Sequence, residues 1–598
     1  MFVRSVKVRS SSGVLHEYVR IVATVRDRGR VRQKVIANLG RRDTLEAILP
    51  ALNRFLTGQG DLPNLAEGDE PIQALDASTW GPMLVVRTLF EQLGLWDTLD
   101  ECDRDRPPHL RRLDDDETRH DWISRVLVLV ANRLIAPSSE HALADWLETD
   151  YICDRRGRRY VPSWKRQGRV KVDFAQLQRW YRTLDHLIAH KERIELALYH
   201  RLRDLFSLQP DLVFYDLTST YFEGHGPRGF ARHGHSRDDK PRNVQVVVGA
   251  VMVAGWPIAH HVWAGNTADK STVGEVLDDL SERFAFRRVV FVGDRGMVST
   301  SNLAALKRPE KGRDFGFLLG LTRRRNPEVE SLLGGVREEA WIDCPVGINA
   351  QEQADPPRTR VQEVPSERRG VRVFVVDSDE RRAYEQRLRE QSMARARAAL
   401  EKVQARVASG RLKDPAKIGA GAERASQRHH GHRYYGWKLS EGRLEIFEHP
   451  VHLRREKRYE GKYLIQTDQA DLTPVEAVAA YKQLNEVERG FRSLKDPIGM
   501  RPIYHHLEDR VRAHIFVAAL AFLIERLLDW RLKDAGVRLS PADAWSALAT
   551  VRHVTFRVAS ECRTGVTPGS PRARQVLKAL KLTTLRSPAP PKGQKTTM

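Results

Sequence analysis

The chain has 598 residues, enough for several domains with a sizeable core and no need of disulfide or metal staples. Lys and Arg number 99 against 78 Asp and Glu, and this formal net charge of +21 indicates a polyanionic partner, nucleic acid before an anionic membrane. The longest apolar run, 515–524, is ten residues, about half of what a membrane span requires. No secretory signal opens the sequence and the four cysteines form no CxxC pair, so we expect a cytoplasmic protein with reduced thiols.

The first third of the chain predicts a basic hairpin, a linker and a helical domain. Within residues 1–56, β-rich segments at 18–25 and 31–36 flank a turn-like 26–30, and eight Arg and Lys crowd residues 20–42. The hairpin therefore either follows a phosphate backbone or is simply a solvated basic surface. Residues 57–78, rich in Gly, Pro and acids, predict a linker, and the helical periodicity of residues 79–206 predicts a helical DNA-binding domain.

The pattern changes to strands at residue 207. Over residues 207–321 it predicts one helix at 271–286 and strands at 212–217, 243–253, 257–263, 288–293 and 315–321. Such an order indicates a mixed sheet covered by helices. Residues 322–460 break this rhythm and predict an insertion with a strand at 371–376 and a long charged helix at 380–409. The sheet pattern resumes over residues 461–535 with a strand at 463–466 and a helix at 473–495, and residues 536–598 predict a C-terminal region with a disordered tail after 567.

Two acids stand in apolar strands of the predicted sheet. Asp216 interrupts the hydrophobic segment 212–217, and Asp294 ends the segment 288–293. Removing a carboxylate from water costs several kcal/mol unless a cation or hydrogen-bond donors compensate it. Either residue alone can be a turn or capping residue. Two of them at strand positions of one sheet indicate a divalent metal site.

A third acid lies on the predicted helix 473–495. Because seven residues bring an α-helix back to within about 20° of the same direction, Tyr481, Glu488 and Lys495 form one stripe. Arg492, four residues after Glu488, joins that stripe. The alternative is an ordinary amphipathic surface helix with chance pairs.

This stripe resembles the Tyr-x2-Arg-x3-Glu-x6-Lys signature of bacterial insertion-sequence DDE transposases, in the group named after insertion sequence four. Tyr481, Glu488 and Lys495 match it in type and spacing, but Leu484 stands at the Arg position. That guanidinium is therefore absent or supplied elsewhere, and Arg492 is the candidate. The segments 215–220 and 293–296 resemble the surroundings of the two catalytic Asp residues, and the resemblance covers most of residues 18–530.

The resemblance implies a fold and a function. The fold is an α/β RNase H-like mixed sheet with flanking helices, interrupted by a β-rich insertion and preceded by the hairpin and the helical domain. The function is that of a DNA transposase that cleaves element ends and joins them to target DNA. Asp216, Asp294 and Glu488 are then the catalytic and metal-binding residues. Tyr481 and Arg492 are the expected DNA-binding residues, together with Lys495.

The implied cofactor is a pair of Mg²⁺ ions, with Mn²⁺ as a substitute, since two such ions activate and stabilise the oxygens of phosphoryl transfer. The implied partner is double-stranded DNA, both the terminal inverted repeats of the element and the target, bound by a homodimer at the nucleoid and away from any membrane.

Three other functions are weighed against this one. The first is a catalytically silent, element-derived DNA-binding protein. Such a protein needs none of the three acids, so their presence in this sequence favours the enzyme. A metal-dependent nuclease without strand transfer is all that the residues alone indicate, because the joining step comes from the resemblance. A phosphohydrolase with Asp216 as nucleophile is disfavoured, because Thr218 stands where such enzymes usually carry a second Asp.

Overall fold

A computed structural model describes residues 2–9, 15–27, 30–45, 49, 72–104, 121–160, 174–297, 299–321, 326–345, 356–558, 561–583 and 585. These residues form two compact units, one from Met1–Leu184 with Ile524–Met598 and one from Asp185–Leu523. Within the described ranges, no helix is both long and apolar enough to cross a bilayer.

The strands of the described ranges, in chain order, are β1 Phe2–Arg9, β2 Leu15–Asp27, β3 Arg30–Arg41, β4 Ile72–Thr79, β5 Leu212–Tyr221, β6 Gln245–Val253, β7 Trp256–Ala264, β8 Val290–Gly293, β9 Lys307–Arg308, β10 Arg313–Asp314, β11 Gly316–Gly320, β12 Ile342–Asp343, β13 Thr359–Val364, β14 Arg372–Ser378, β15 Tyr435–Ser440, β16 Arg443–Glu448, β17 Lys462–Thr467, β18 Arg552–Val558 and β19 Glu561–Val566.

The α-helices of the same ranges are α1 Arg42–Leu45, α2 Gly81–Gln92, α3 Leu95–Arg104, α4 Trp122–Ile135, α5 Leu143–Thr149, α6 Phe174–Ala189, α7 Lys191–Phe206, α8 Asp269–Glu282, α9 Thr300–Leu306, α10 Pro327–Gly334, α11 Asp379–Ala408, α12 Pro415–Gln427, α13 Pro450–Tyr459, α14 Pro474–Lys482, α15 Leu484–Lys495, α16 Glu508–Asp534, α17 Pro541–Leu548 and α18 Pro571–Ala579.

The unit that holds both chain ends contains two small sheets. The predicted N-terminal hairpin is β2 and β3, and β1 pairs with β2 to make an antiparallel sheet of three strands. The second sheet has the order β19-β18-β4. Residues 57–71 of the predicted linker lie outside the described residues, and the rest of that prediction is wrong, because β4 pairs with β18. A strand whose partner lies almost 500 residues further on has no signature in its own neighbourhood.

The predicted disordered tail is also corrected in part. Residues 571–579 form α18, which begins at Pro571 after the Ser570 side chain accepts a hydrogen bond from the backbone N–H of Ala573. Pro at the first helical position and Ser at the N-cap both favour a helix start. Residues 586–598 of that prediction lie outside the described residues.

The other unit is organised around one sheet of nine strands, with the order β12-β13-β14-β17-β11-β8-β5-β6-β7. In this sheet β5 is antiparallel to β6 and parallel to β8, which is parallel to β11. Counted along the chain, the five core strands lie in the order 3-2-1-4-5 with the second antiparallel, which is the RNase H-like arrangement. The predicted fold class is therefore confirmed.

The insertion differs from the expected β-rich body of its own. Its strands β12, β13 and β14 extend the central sheet, because β14 pairs with β17, which follows the insertion in the chain. The rest of it, α11, α12 and the hairpin β15–β16, surrounds a separate apolar core that includes Leu400, Ala422 and Leu444. Residues 322–460 are thus partly sheet and partly a mainly helical lobe.

The core of the central sheet holds β5 in place beneath α8. Val213, Tyr215 and Phe291 are almost fully buried, and the Tyr215 hydroxyl donates a hydrogen bond of 2.8 Å to Thr272 Oγ1 on α8. Apolar burial of this kind stabilises by roughly 1.5–3 kcal/mol for each large side chain. The strand that carries Asp216 is therefore rigidly held.

Substitution of Ala for Gly at two positions of this unit is expected to change its stability in opposite directions. A Cβ at Gly249 on β6 would lie 2.8 Å from ring carbons of Trp263 and Tyr215, whereas a Cβ at Gly274 on α8 would meet nothing within 4 Å. We expect Gly249→Ala to destabilise by about 1–3 kcal/mol through overpacking and Gly274→Ala to stabilise by about 0.5–1 kcal/mol through higher helix propensity. Denaturant unfolding of both variants checks this, and a midpoint for Gly249→Ala at or above that of the wild type contradicts the packing described.

Candidate active site

The strand register brings two acids to one edge of the central sheet. Tyr215 on β5 pairs in parallel with Gly293 on β8, so the residues that follow them, Asp216 and Asp294, occupy equivalent positions on neighbouring strands. The backbone of Gly320 at the end of β11 reaches the same edge, since Gly293 pairs with the residue before it. Neighbouring strands lie about 4.8 Å apart, so the two carboxylates are neighbours by construction.

Asp294 is held in a tight turn. The backbone N–H of Met297 donates to the Asp294 carbonyl at 3.1 Å, and a Cβ at Gly293 would lie 2.8 Å from Met297 Sδ. A larger residue at this position would require the Met297 side chain to move. Among the described residues, the Asp294 carboxylate has no hydrogen-bond or ion-pair partner, so it is neither a cap nor half of a salt bridge.

Helix α15 brings in the third acid. Its apolar stripe, which includes Leu484, Val487 and Phe491, is buried, and the helix packs on β5. Glu488 lies on the exposed side of that stripe. An i, i+3, i+4 apolar pattern fixes which way such a helix faces its sheet, and here it directs Glu488 toward the strand ends.

A single cavity of about 850 Å³ collects these side chains. It is lined by Asp216, Asp294, Gly320, Leu321, Ser378, Glu380, Arg381, Tyr384, Arg387, Tyr463, Leu464, Tyr481, Lys482, Leu484, Asn485, Glu488 and Arg492. Five of the six residues singled out in the sequence, all but Lys495, therefore face one space.

The electrostatics of Asp216 reflect this crowding. Burial, the largest cause, and the charges of Asp294 and Glu488 together raise the pKa of its carboxyl group from 3.8 to about 7. The backbone N–H of Leu217, which donates to Asp216 Oδ1 at 2.8 Å, and the nearby Arg237 lower that pKa without cancelling the effect. Like charges in a poorly solvated place disfavour ionisation. The three acids therefore form a centre whose negative charge the protein itself leaves uncompensated.

The predicted single helix 473–495 is wrong at one point, because the chain forms α14 and α15 with a break at Gln483. The Gln483 N–H donates to Ala480 O and the Glu486 N–H to Gln483 O, a three-residue spacing that tightens the turn. Tyr481 thus belongs to α14, and its ring stacks on Tyr463 with centroids 5.9 Å apart.

Lys495 has a structural partner. Its Nζ donates to Asp238 Oδ1 at 2.6 Å, and Arg501 donates to the same oxygen at 2.7 Å. Lys495 is buried at 9% relative exposure and is absent from the cavity wall. The expectation that Lys495 binds a DNA phosphate is corrected accordingly, because the ammonium group compensates a buried aspartate.

The sequence missed the second wall of the cavity. Arg381, Tyr384 and Arg387 lie on the first turns of α11, about one hundred residues before Glu488 in the chain. The charged composition of this helix was visible, but periodicity could not orient its first turns, because charged residues surround those turns and the buried residues of the helix begin only at Ala396. Leu484, at the signature's Arg position, presents an apolar side chain to the same cavity.

Two family models match the chain. Residues 209–524, more than half of the 598, match one described as Transposase DDE domain. Residues 3–64 match one described as IS1634 family transposase, N-terminal domain. No curated protein sequence matches the chain significantly. Among solved structures, the chain is similar to a piggyBac transposase synaptic complex with hairpin DNA at 9% identity and a TM-score of 0.35, over 80% of this chain and 82% of the other.

The raised pKa of Asp216 predicts a pH-dependent stability of the metal-free protein. Between pH 3.8 and about 7 the folded state retains a proton that the unfolded state has released, so stability falls as the pH rises through this window. We expect thermal unfolding in the presence of EDTA to show this fall, and Asp216→Asn to reduce it. Superimposable pH profiles of the two proteins contradict the assigned environment of Asp216.

Proposed function

Because the chain belongs to the family of DDE transposases, we propose that Asp216, Asp294 and Glu488 hold the divalent metal with which it cleaves DNA. The protein is a DNA transposase, and its family depends on divalent metal ions. The observation that supports the site is that the three acids line one cavity, with Asp216 resisting ionisation beside the other two.

The donor set fits a hard divalent cation. Carboxylate oxygens are the ligands that Mg²⁺ and Mn²⁺ prefer, and negative charge that the protein leaves uncompensated is what such ions offset. We propose two Mg²⁺ ions, with Mn²⁺ as a substitute. Bound there, they would lower the pKa of an attacking hydroxyl or water and stabilise the charge that develops on the phosphoryl oxygens.

The three acids share the part of metal ligands in this proposal. Asp216, Asp294 and Glu488 would hold the ions together, because all three line one cavity and the charges of Asp294 and Glu488 both act on Asp216. The rigid β5 fixes Asp216, and the turn after β8 fixes Asp294. Preorganised ligands of this kind avoid a reorganisation cost when the substrate arrives.

Two further residues are proposed to hold the DNA strand. Arg492 is exposed on the cavity wall, where its guanidinium is available to a phosphate. Tyr481 lies on the same wall, and its phenol is proposed to donate a hydrogen bond to a second phosphate oxygen.

The proposed reaction has two steps at this site. Attack by water on a phosphodiester at the element end breaks the P–O3′ bond and releases a 3′-hydroxyl. That hydroxyl then attacks a phosphodiester of target DNA, forming a new P–O bond and displacing the target's own 3′-oxygen. Phosphodiester bonds are exchanged, so no nucleotide cofactor is needed.

Tyr481, Glu488 and Lys495 support placing the enzyme in the group named after insertion sequence four. We also propose that it acts as a homodimer on DNA in the bacterial cytoplasm, at the nucleoid.

The test separates cleavage from binding. The substrate is DNA that spans the junction between the element and its flank, incubated with Mg²⁺. We expect Asp216→Asn, Asp294→Asn and Glu488→Gln each to lower strand cleavage by at least about 10³-fold, since each removes a metal ligand. The affinity for the same DNA should stay within a few-fold.

A matched control is Glu486→Gln, on the same helix but paired with Arg489 at 2.6 Å. We expect this variant to cleave normally. Cleavage retained in all three acid variants rejects the assigned site. A wild type that binds but never cleaves favours the catalytically silent alternative, and cleavage without joining favours the nuclease.

A further inference from the structure

The first turns of α11 contain four arginines that differ in their partners. Arg382 pairs with Asp377, and Arg389 pairs with Glu460. Arg381 pairs with Glu385 at 3.1 Å and lies over the ring of Tyr463 at 5.1 Å. Arg387 is exposed and, within the described residues, has neither a hydrogen bond nor an ion pair. It is also one of the residues that line the cavity with the three acids.

The helix on the other wall shows the same division. On α15, Arg489 pairs with Glu486 and Lys495 pairs with Asp238. Arg492 is exposed and, in the described part of the chain, also lacks an ion-pair partner, yet it faces the cavity. Each wall thus contributes one unpaired guanidinium to the space that contains the carboxylates.

Arg387 has no ion-pair partner within the described residues, and a binding site for an anionic ligand explains this better than an ordinary solvated helix face does. Acids lie on and around the first turns of α11, namely Glu385 on the helix, Asp377 just before it and Glu460 from another segment, and the neighbouring arginines pair with them. The cation that lowers the pKa of Asp216 is Arg237, which is itself held by Asp269 at 2.7 Å. Planar guanidinium groups bind phosphate through two parallel hydrogen bonds, and two of them on different helices of one cavity can bind one phosphate or two successive ones.

We propose that Arg387 and Arg492 form a two-sided clamp for the phosphate backbone of the DNA strand next to the bond that is cleaved. This inference rests on the proposed function. The insertion helix α11 is then a wall of the substrate site and not only a scaffold. Because Leu484 is apolar, α15 offers one guanidinium to the cavity and α11 supplies the other.

Binding measurements test the clamp without any chemistry. In an Asp216→Asn background, which prevents cleavage, we expect Arg387→Ala to weaken binding of element-end DNA by about 10-fold or more, the size of a lost charge-assisted contact. The slope of log affinity against log salt should become shallower by about 1, one phosphate contact. Arg395→Ala, at an exposed arginine on the same helix outside the cavity wall, is the matched control and should change neither quantity.

Neutral phosphate analogues locate the contact. A methylphosphonate is placed at one position at a time along the cleaved strand, near the break. At one or two positions next to the break, the methylphosphonate should lower the DNA affinity of the Asp216→Asn protein about as much as Arg387→Ala does. In the protein that also carries Arg387→Ala, the same methylphosphonate should lower the affinity almost no further. Additive losses at every position, or an Arg387→Ala protein with unchanged affinity and salt slope, overturn the proposal.

The clamp and the metal site fail in distinguishable ways. If the acids are misassigned, Asp216→Asn, Asp294→Asn and Glu488→Gln, each as a single substitution, still cleave DNA, whatever effect Arg387→Ala has on binding. If only the clamp is wrong, the acid variants lose cleavage while Arg387→Ala binds like Arg395→Ala. Thermal unfolding of both arginine variants is expected to match the parent, because both side chains are exposed.

Discussion

Three carboxylates gathered in a poorly solvated place are the constraint on which the candidate site depends. Asp216 resists ionisation because it is poorly solvated and lies near Asp294 and Glu488. A folded chain gains nothing from gathering like charges in such a place. We propose that this cost is borne for function, because divalent cations bound there would replace the repulsion between the carboxylates with attraction. The clamp proposed around the cavity follows the same logic, since its cations face outward to a substrate while neighbouring cations are paired within the protein.

The fold meets this constraint through elements that are distant in the chain. Parallel pairing of β5 with β8 aligns two acids, and the apolar stripe of α15 orients the third. The insertion contributes twice: its strands extend the central sheet, and α11 supplies a wall of the cavity. Buried contacts such as Tyr215 to Thr272 and Lys495 to Asp238 hold these elements without entering the cavity. Position and chemistry are thus carried by different residues.

Much of the central sheet could be predicted, because its strands are apolar runs with clear ends and its acids interrupt them. Helical periodicity placed Glu488 on one stripe with Tyr481 and Lys495, but in the structure Tyr481 belongs to α14 and Lys495 is buried against Asp238. Three features could not be predicted for physical reasons. The break at Gln483 depends on a local change of hydrogen-bond spacing, β4 depends on a partner almost 500 residues away, and the partner of Lys495 depends on the tertiary position of Asp238. The wall formed by the first turns of α11 was missed because charged residues surround those turns, whereas the buried residues of the helix begin at Ala396.

Electron paramagnetic resonance with Mn²⁺ can test whether the three distant acids share a pair of metal ions, because it detects spin coupling between two bound ions. With element-end DNA bound, we expect the spectrum of two spin-coupled Mn²⁺ ions, about 4 Å apart as in other two-metal sites. Removal of any one acid, the helix-borne Glu488 included, should abolish the coupling. A coupled pair that survives in Asp216→Asn, or uncoupled ions alone in the wild type, contradicts the account.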